Sequence, residues 1–214
     1  MPSALCATCY LPPVEYFAII MHNGGATIEV YETYSKQTYR NRCHIATAGG
    51  LLALTVPVLK INGNHTRTDE AAVSYHIPWN RTHWRSIEAA YNKSPYFLYY
   101  RDALEPLYNI HYERLIDLNT RFLETMLNIL KIRIPITFST SYKQHESVGA
   151  DFRFDIHPKK PAYLCAAREF PRYTQVFDDK CGFLPNLSIV DLLFNMGPDA
   201  HDYLKQFAFN FIKD

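Results

Sequence analysis

The first 32 residues carry the pattern that most restricts the fold, because two short apolar runs there enclose a helical segment. The runs Ala4 to Tyr10 and Ala26 to Glu32 are strand-like, and Val14 to His22 between them has the spacing of a short helix. Strand, helix and strand in this order form a βαβ-like opening, which is typical of α/β proteins and compatible with a Rossmann-like start.

Further strands are predicted downstream. The apolar runs Arg42 to Thr47 and Leu51 to Lys60 flank Gly49 and Gly50, residues that suit a hairpin turn, so we expect the two runs to pair antiparallel. Two other strand-like runs follow at Ala71 to Ile77 and Ile134 to Phe138. The strands together predict a mixed central sheet.

Helices dominate the middle and the end of the sequence. Asn80 is placed to cap a helix from Arg81 to about Asn92, and Tyr112 to Lys131 is the longest periodic stretch. Its apolar side chains recur every three or four residues and should face the core: Leu115, Leu118, Phe122, Met126 and Ile129. Two carboxyl-terminal helices are predicted, Ile189 to Asn195 and Ala200 to Ile212. The helices should cover the sheet in an α/β domain.

Size and composition favour one domain over residues 1–214. The apolar fraction of 48% and the 31 aromatic residues (13 Phe, 16 Tyr, 2 Trp) supply a substantial core, which excludes disordered and collagen-like classes. Lys and Arg number 22 against 21 Asp and Glu, so a net charge of +1 gives no reason to expect nucleic acid as a partner. An anionic ligand would have to be bound by a local patch.

The sequence contains no apolar run of about 18 residues and no signal-like start, so we expect no membrane span. Five cysteines without a repeated spacing do not suggest a disulfide framework. These observations predict a cytoplasmic protein, and they leave its oligomeric state open.

The segment Tyr31 to His44 offers the richest set of ligand-binding groups. It follows a predicted strand, and ligands of open α/β sheets bind near the carboxyl ends of strands. Its candidate substrate-binding residues combine cations, amides and an aromatic ring: Tyr34, Lys36, Gln37, Arg40, Asn41 and Arg42. Guanidinium groups bind phosphate oxygens, and aromatic faces stack on bases or sugars, so the set suits a nucleotide-sugar-like small molecule. A solvated polar loop would have the same composition.

A second cluster lies between Pro78 and Phe97. Trp79 and His83 fall near the start of the predicted helix, where the indole could contact a substrate ring and the imidazole could act as a general base. Lys93 near the helix end is a further candidate for substrate binding. Each residue also has a structural interpretation: packing for the aromatic rings, and favourable interaction with the helix dipole for the lysine.

Other chemical signatures are weak or missing. In a strand from Arg153 to Ile156, residues 151, 155 and 157 would share one face, which makes Asp155 and His157 a possible acid/base or metal pair. The sequence contains no GxGxxG, GxxxxGK[ST], HExxH or GxSxG motif. No particular cofactor is indicated, and no metal site is predicted.

Several segments nevertheless resemble one family in their order along the chain: YLPPVEYF, YSKQTYRNRCHI, LTVPV, WNRTHWRSIEAAYNKSPYF, LEPLY, ERLIDLN and FLPNLSIVDLLFNMGP. Together they extend from Tyr10 to Pro198 and resemble the WbqC-like family of bacterial proteins associated with O-antigen and other surface-polysaccharide gene clusters. The chain departs from the family where Thr8-Cys9-Tyr10 replaces the usual glutamine and a second proline replaces an aromatic residue.

The resemblance implies a transferase-like enzyme of surface-polysaccharide biosynthesis that acts on a nucleotide-linked sugar, with an amino-bearing sugar as one candidate. Two alternatives stay open: a non-catalytic binding or assembly subunit of the same pathway, and a nucleotidyl or adenylyl transferase.

Overall fold

The computed structural model describes residues 3–144, 150–165 and 169–211. Its strands are β1 (Ala4–Ala7), β2 (Ala26–Glu29), β3 (Arg42–Thr47), β4 (Gly50–Thr55), β5 (Val58–Leu59), β6 (Ala72–Val73) and β7 (Ile136–Phe138). Its helices are α1 (Val14–His22), α2 (Trp79–Tyr91), α3 (Phe97–Leu104), α4 (Leu115–Ile129), α5 (Asp178–Cys181), α6 (Ile189–Met196) and α7 (Ala200–Phe211). Short 3-10 segments include Thr68–Glu70, Glu105–Asn109 and Gly197–Asp199.

A parallel three-stranded sheet in the order β1, β2, β7 confirms the βαβ opening and the α/β class. On the other side of β1, Leu5 pairs in parallel with Asp151. The approach of β7 to β2 is close at Gly25, whose φ is 151° and where an added Cβ would lie 2.7 Å from the Pro135 carbonyl oxygen. A side chain at this position would therefore push the two strands apart.

The predicted hairpin is present as β3 and β4, which pair antiparallel from Arg42 with Thr55 to Thr47 with Gly50. The predicted run from Leu51 to Lys60 is divided, because Pro57 has no N–H to donate to a continuous ladder. After it, β5 pairs with β6. The antiparallel strands thus form two small separate sheets, and the central sheet itself is parallel.

Helices surround the central sheet. Helix α1 is buried over most of its length and packs against α6 and α7. Leu115, Leu118, Phe122 and Met126 are fully buried, so the predicted apolar stripe of α4 faces the core. Helix α1 is buried on nearly all sides and is therefore apolar throughout. Helix α4 has one buried and one exposed face, so its apolar residues recur periodically.

Two further local predictions were wrong. Asn80 does not cap α2, which begins at Trp79; its Nδ2 donates to the Tyr108 carbonyl oxygen at 2.8 Å. Residues Arg153 to Ile156 do not form a strand, because the pairing with β1 ends at Phe152, whose N–H donates to Leu5.

The end of the predicted helix at Ile212 lies outside the described residues. Within the described parts of the chain, no helix is both long and apolar enough to cross a bilayer.

Candidate functional site

A buried ion-pair network lies at the carboxyl edge of the parallel sheet. Glu29, the last residue of β2, accepts hydrogen bonds from Ser139 Oγ at 2.7 Å and from Arg153 Nη1 at 3.2 Å. Arg153 also binds Asp151 through two bonds, Nε to Oδ1 at 3.0 Å and Nη2 to Oδ2 at 2.6 Å. All three charged side chains are at most 1% exposed. The network therefore fixes three chain segments to one another beneath the surface.

A surface hollow of about 280 Å³ opens next to this network. Its lining comes from the segment after β2 and from the opposite loop: Tyr31, Glu32, Thr33, Tyr142 and Phe154. The guanidinium of Arg153 lies 5.1 Å from the centre of the Tyr142 ring and 5.5 Å from that of Phe154. Because both rings are about half exposed, their faces can pack against a planar or sugar ring.

Two lysines lie where the loop containing Phe154 meets the Tyr31 to His44 segment. Lys159 Nζ donates to Gln37 Oε1 at 2.6 Å, and Lys160 Nζ donates to the Phe154 carbonyl oxygen at 2.9 Å. Both lysines are exposed, so each retains donors that can reach a ligand.

The lowered pKa of His157 indicates positive charges in the same region. Its pKa is lowered from the ordinary value, first by burial and then by the charges of Lys160, Arg40 and Lys159. We call His157, Lys159, Lys160 and Arg40 the basic cluster. Within this cluster, the exposed charges of Lys159 and Lys160 favour the binding of phosphate or carboxylate oxygens.

The hollow and the basic cluster are joined by a second buried ion pair. Glu32 lines the hollow, and its carboxylate accepts two bonds from Arg40, from Nε at 2.7 Å and from Nη2 at 2.6 Å. Both side chains are 4% exposed. The pair positions the aromatic side of the site relative to its cationic side.

A buried carboxylate, Glu15, lies at the start of α1, and the charge of Asp155 acts on it. Asn186 Nδ2 donates to Glu15 Oε1 at 2.6 Å, and Asn186 Oδ1 accepts the Glu15 main-chain N–H at 3.0 Å. Burial raises the pKa of Glu15 to about 7, with a smaller contribution from the charge of Asp155. A carboxyl group with this pKa can exchange a proton near neutral pH.

The shifted pKa of Glu15 predicts a pH dependence of stability. The native carboxyl keeps its proton to a higher pH than the unfolded one, so the free energy of unfolding should fall as the pH rises from 4.5 to about 7. The contribution amounts to about 3 kcal/mol. His83, with a pKa lowered to about 4, adds stability over the same pH range, so the test is the difference between wild type and Glu15→Gln. In urea unfolding, the stability of the wild type relative to Glu15→Gln should fall by this amount from pH 5 to pH 8. The control Glu113→Gln, at an exposed position, should keep the wild-type dependence.

The predicted binding residues at positions 40 to 42 use their side chains for contacts within the protein. Arg40 is occupied by its ion pair, Asn41 Nδ2 donates to the Val56 carbonyl oxygen at 2.7 Å, and Arg42 Nε donates to Thr55 Oγ1 at 3.1 Å. Among the described residues Asn41 Oδ1 has no hydrogen-bond partner. These contacts attach the start of β3 to the end of β4.

The predicted residues at positions 34 to 37 divide between the interior and the surface. Tyr34 is buried, which raises its pKa to about 12, and Lys60 Nζ lies 5.7 Å from its ring centre. Lys36 and Gln37 are exposed, and Gln37 bonds to Lys159 as described above. Lys36 and Gln37 are therefore the members of the predicted set that face solvent beside the basic cluster.

Trp79 and His83 belong to a buried aromatic cluster. His83 Nδ1 lies 2.9 Å from Tyr10 Oη, which lies 3.0 Å from Tyr108 Oη, and the imidazole also hydrogen-bonds the main chain of Thr55. The ring centres of Trp79 and His83 are 5.2 Å apart. Burial lowers the pKa of His83 to about 4, so the imidazole is neutral at pH 7.

The structure brings His83 and Arg42 together through Thr55, one bonding its main chain and the other its side chain. It does not bring Lys93 to them: Lys93 follows the end of α2, about 20 Å along the helix axis from Trp79. The predicted site residues therefore do not form one cleft.

Sequence reasoning gave no ligand-binding or catalytic role to Glu15, Asn186, Lys159 or Lys160. One signal was available for Glu15, because it is the only charged residue between Pro13 and His22 in an otherwise apolar helix. No local signal existed for Asn186, which approaches Glu15 across 171 sequence positions.

The possible acid/base or metal pair consists of Asp155 and His157, and each of these residues contacts a lysine. Asp155 lies 3.9 Å from Lys160 Nζ, and His157 Nδ1 accepts the Lys159 main-chain N–H at 3.1 Å. In the described parts of the chain, no group of three or more His, Cys, Asp or Glu side chains is arranged to hold a metal ion.

The fold and site define an α/β protein with a parallel sheet whose carboxyl edge carries an aromatic hollow and a basic cluster. The model of the WbqC-like protein family matches residues 8–167 and 153–203, so the chain belongs to the WbqC-like protein family. It is also 28% identical over 233 residues to the uncharacterized protein Rv1507c of Mycobacterium tuberculosis (strain ATCC 25618 / H37Rv), covering 94% of this chain and 96% of that protein. No solved structure matches the chain.

Proposed function

We propose that the protein is a transferase-like enzyme of surface-polysaccharide biosynthesis that binds a nucleotide-linked sugar at the carboxyl edge of its parallel sheet. The observation that carries the proposal is the direct junction between an aromatic hollow and a basic cluster. A nucleotide sugar has the matching parts, since its rings can pack on Tyr142 and Phe154 while its diphosphate contacts the exposed lysines Lys159 and Lys160. The assignment to surface-polysaccharide biosynthesis rests on the resemblance of the sequence to the WbqC-like family.

In this proposal Lys159 and Lys160 bind the diphosphate, with Lys36 and Gln37 at the rim. Fixed cations beside phosphate oxygens stabilise charge that develops on a departing diphosphate. Glu15 is 1% exposed and bonded to Asn186, so in this proposal it acts through neighbouring groups and does not contact the ligand.

The remaining predicted residues act as positioning residues in this proposal. Arg40 orients Glu32, and His83 with Trp79 supports the hairpin end that carries Arg42. Their burial makes a role through neighbouring groups more consistent with the geometry than direct contact with a ligand.

Replacing both lysines should weaken binding of the donor. Lys159→Ala/Lys160→Ala should raise the Kd for UDP-, dTDP- or GDP-sugars about 100-fold, because two charged hydrogen bonds of roughly 1.5 kcal/mol each are lost. Isothermal titration calorimetry measures the change. The double variant Lys180→Ala/Lys205→Ala removes the same charge from exposed positions on α5 and α7 and should bind as the wild type does. Equal weakening in both variants would contradict the proposed site.

Turnover separates the proposed enzyme from a binding or assembly subunit of the same pathway. The subunit alternative is favoured by one observation: Glu29, Glu32 and Asp151 are each held by an arginine. Release of a nucleoside diphosphate from a bound sugar donor in the presence of acceptors would support transfer. Tight binding without release would support the subunit, and release of pyrophosphate from ATP would indicate nucleotidyl transfer.

A further inference from the structure

A second cavity, of about 180 Å³, lies between α2 and the 3-10 segment that follows α3. It is lined by Asn80, Arg81, Trp84, Arg85, Glu105, Tyr108 and Asn109. Four of these residues come from the motif between Pro78 and Phe97, and the proposed function uses none of the seven. The cavity therefore needs a separate explanation.

Two arginines of this cavity occupy positions in α2 that are unfavourable for positive charge. Arg81 lies in the first turn of α2, where no acidic residue is present and the helix dipole disfavours a cation. Arg85 lies one turn further on the same face, and like charges at this spacing repel. Both are exposed, and neither side chain has an ion pair or hydrogen bond within the described residues. An anion bound between them would relieve both unfavourable interactions.

The carboxylate in the lining does not neutralise these arginines. Glu105 Oε2 accepts a hydrogen bond from Arg101 Nε at 3.1 Å, and Arg101 Nη2 lies 3.4 Å from Glu88 Oε1. Because Glu88 and Glu105 share the single cation Arg101, one negative charge offsets part of the two positive charges of Arg81 and Arg85, and a net positive charge stays at the cavity.

The apolar wall of the cavity is fixed by packing. The ring centre of Trp84 lies 6.1 Å from that of Phe97 and 5.6 Å from that of Tyr108. Asn80 holds the main chain of Tyr108 at 2.8 Å. The cavity thus combines two exposed arginines with a rigid aromatic floor, in which Trp84 is 8% and Tyr108 4% exposed.

We infer that this cavity binds the phosphate of a phosphate monoester, with Arg81 and Arg85 donating to its terminal oxygens. A phosphate monoester offers three terminal oxygens to the N–H groups of the two guanidinium groups, whereas a carboxylate offers only two. The indole and phenol rings of Trp84 and Tyr108 would pack against the carbon part of the ligand. This carbon part is either a soluble sugar or a lipid, and the two sources are separable by experiment.

Calorimetric titration with glucose 1-phosphate and inorganic phosphate tests the site directly. Arg81→Ala/Arg85→Ala should weaken binding of both by about 30-fold or more, and Arg81→Lys/Arg85→Lys should weaken it less because charge is kept while the bidentate fork is lost. Co-sedimentation with phosphatidylcholine vesicles containing phosphatidic acid distinguishes a lipid phosphate from a soluble one. Loss of vesicle binding in the alanine variant would assign the site to lipid.

The control Arg121→Ala/Arg133→Ala removes the same charge from exposed positions elsewhere and should change the Kd less than twofold. In phosphate-free buffer the variant Arg81→Gln/Arg85→Gln should melt at or above the wild-type temperature, because repulsion is removed. Phosphate should raise the Tm of the wild type and not of this variant. Unchanged affinity in the alanine variant, or equal weakening in the control, would overturn the inference without affecting the test of Lys159 and Lys160.

Discussion

Arg153→Met is expected to lower the free energy of unfolding by about 3 to 5 kcal/mol, because removal of one partner from a buried ion pair leaves a charge without compensation. Here two carboxylates would be left, Glu29 and Asp151, and both are at most 1% exposed. Urea denaturation of the purified variant measures the loss. The triple variant Glu29→Gln/Asp151→Asn/Arg153→Met should recover much of it, since no buried charge remains.

An exposed arginine gives the matched comparison for this change. Arg172 is 67% exposed and lies 3.3 Å from Asp178, and surface pairs of this kind contribute about 0 to 1 kcal/mol. Arg172→Met should therefore differ little from the wild type. A loss below about 1 kcal/mol in Arg153→Met would mean that water reaches the network and that the edge of the sheet is less closed than the contacts indicate.

Phe122→Ala is expected to cost about 3 to 5 kcal/mol, because truncation of a buried aromatic ring leaves a cavity that the core fills only in part. Phe122 is fully buried, with its ring centre 5.5 Å from that of Tyr10 and 5.2 Å from that of Tyr108. The same two tyrosines form the hydrogen-bonded chain with His83. The substitution should therefore loosen the packing around the imidazole as well.

The exposed residue Glu124 on the same helix supplies the control for this prediction. Glu124→Ala should change the free energy of unfolding by about 0.5 kcal/mol or less, as is usual for surface substitutions. If Phe122→Ala were equally mild, the periodic stripe of α4 could not be the contact between that helix and the core.

Local patterns were sufficient for much of the secondary structure. The βαβ opening, the β3–β4 hairpin and the buried stripe of α4 were predicted, because each depends on the spacing of apolar residues and on turn residues within about 20 positions. The errors occurred where one residue overrode a pattern. Pro57 interrupted a predicted strand, and Asn80 used its side chain on a distant carbonyl group instead of the helix end.

The candidate site could be predicted only in part. The rule that ligands bind near the carboxyl ends of parallel strands pointed to the segment from Tyr31 to His44, and this segment does border the hollow. Which of its side chains would be free was not predictable. Arg40 has a buried partner in Glu32, and such a pairing depends on how the loop folds back.

The sequence by itself determined the α/β class, the family and the residues available for binding, because apolar periodicity and the order of motifs are local properties of the chain. Only the tertiary structure decided which charges are neutralised and which stay open to a ligand. Glu15 meets Asn186, and Lys159 meets Gln37 across 122 positions, so their environments exist only after packing. Burial and Coulomb interactions depend on distances in space, and these distances place the basic cluster beside the aromatic hollow.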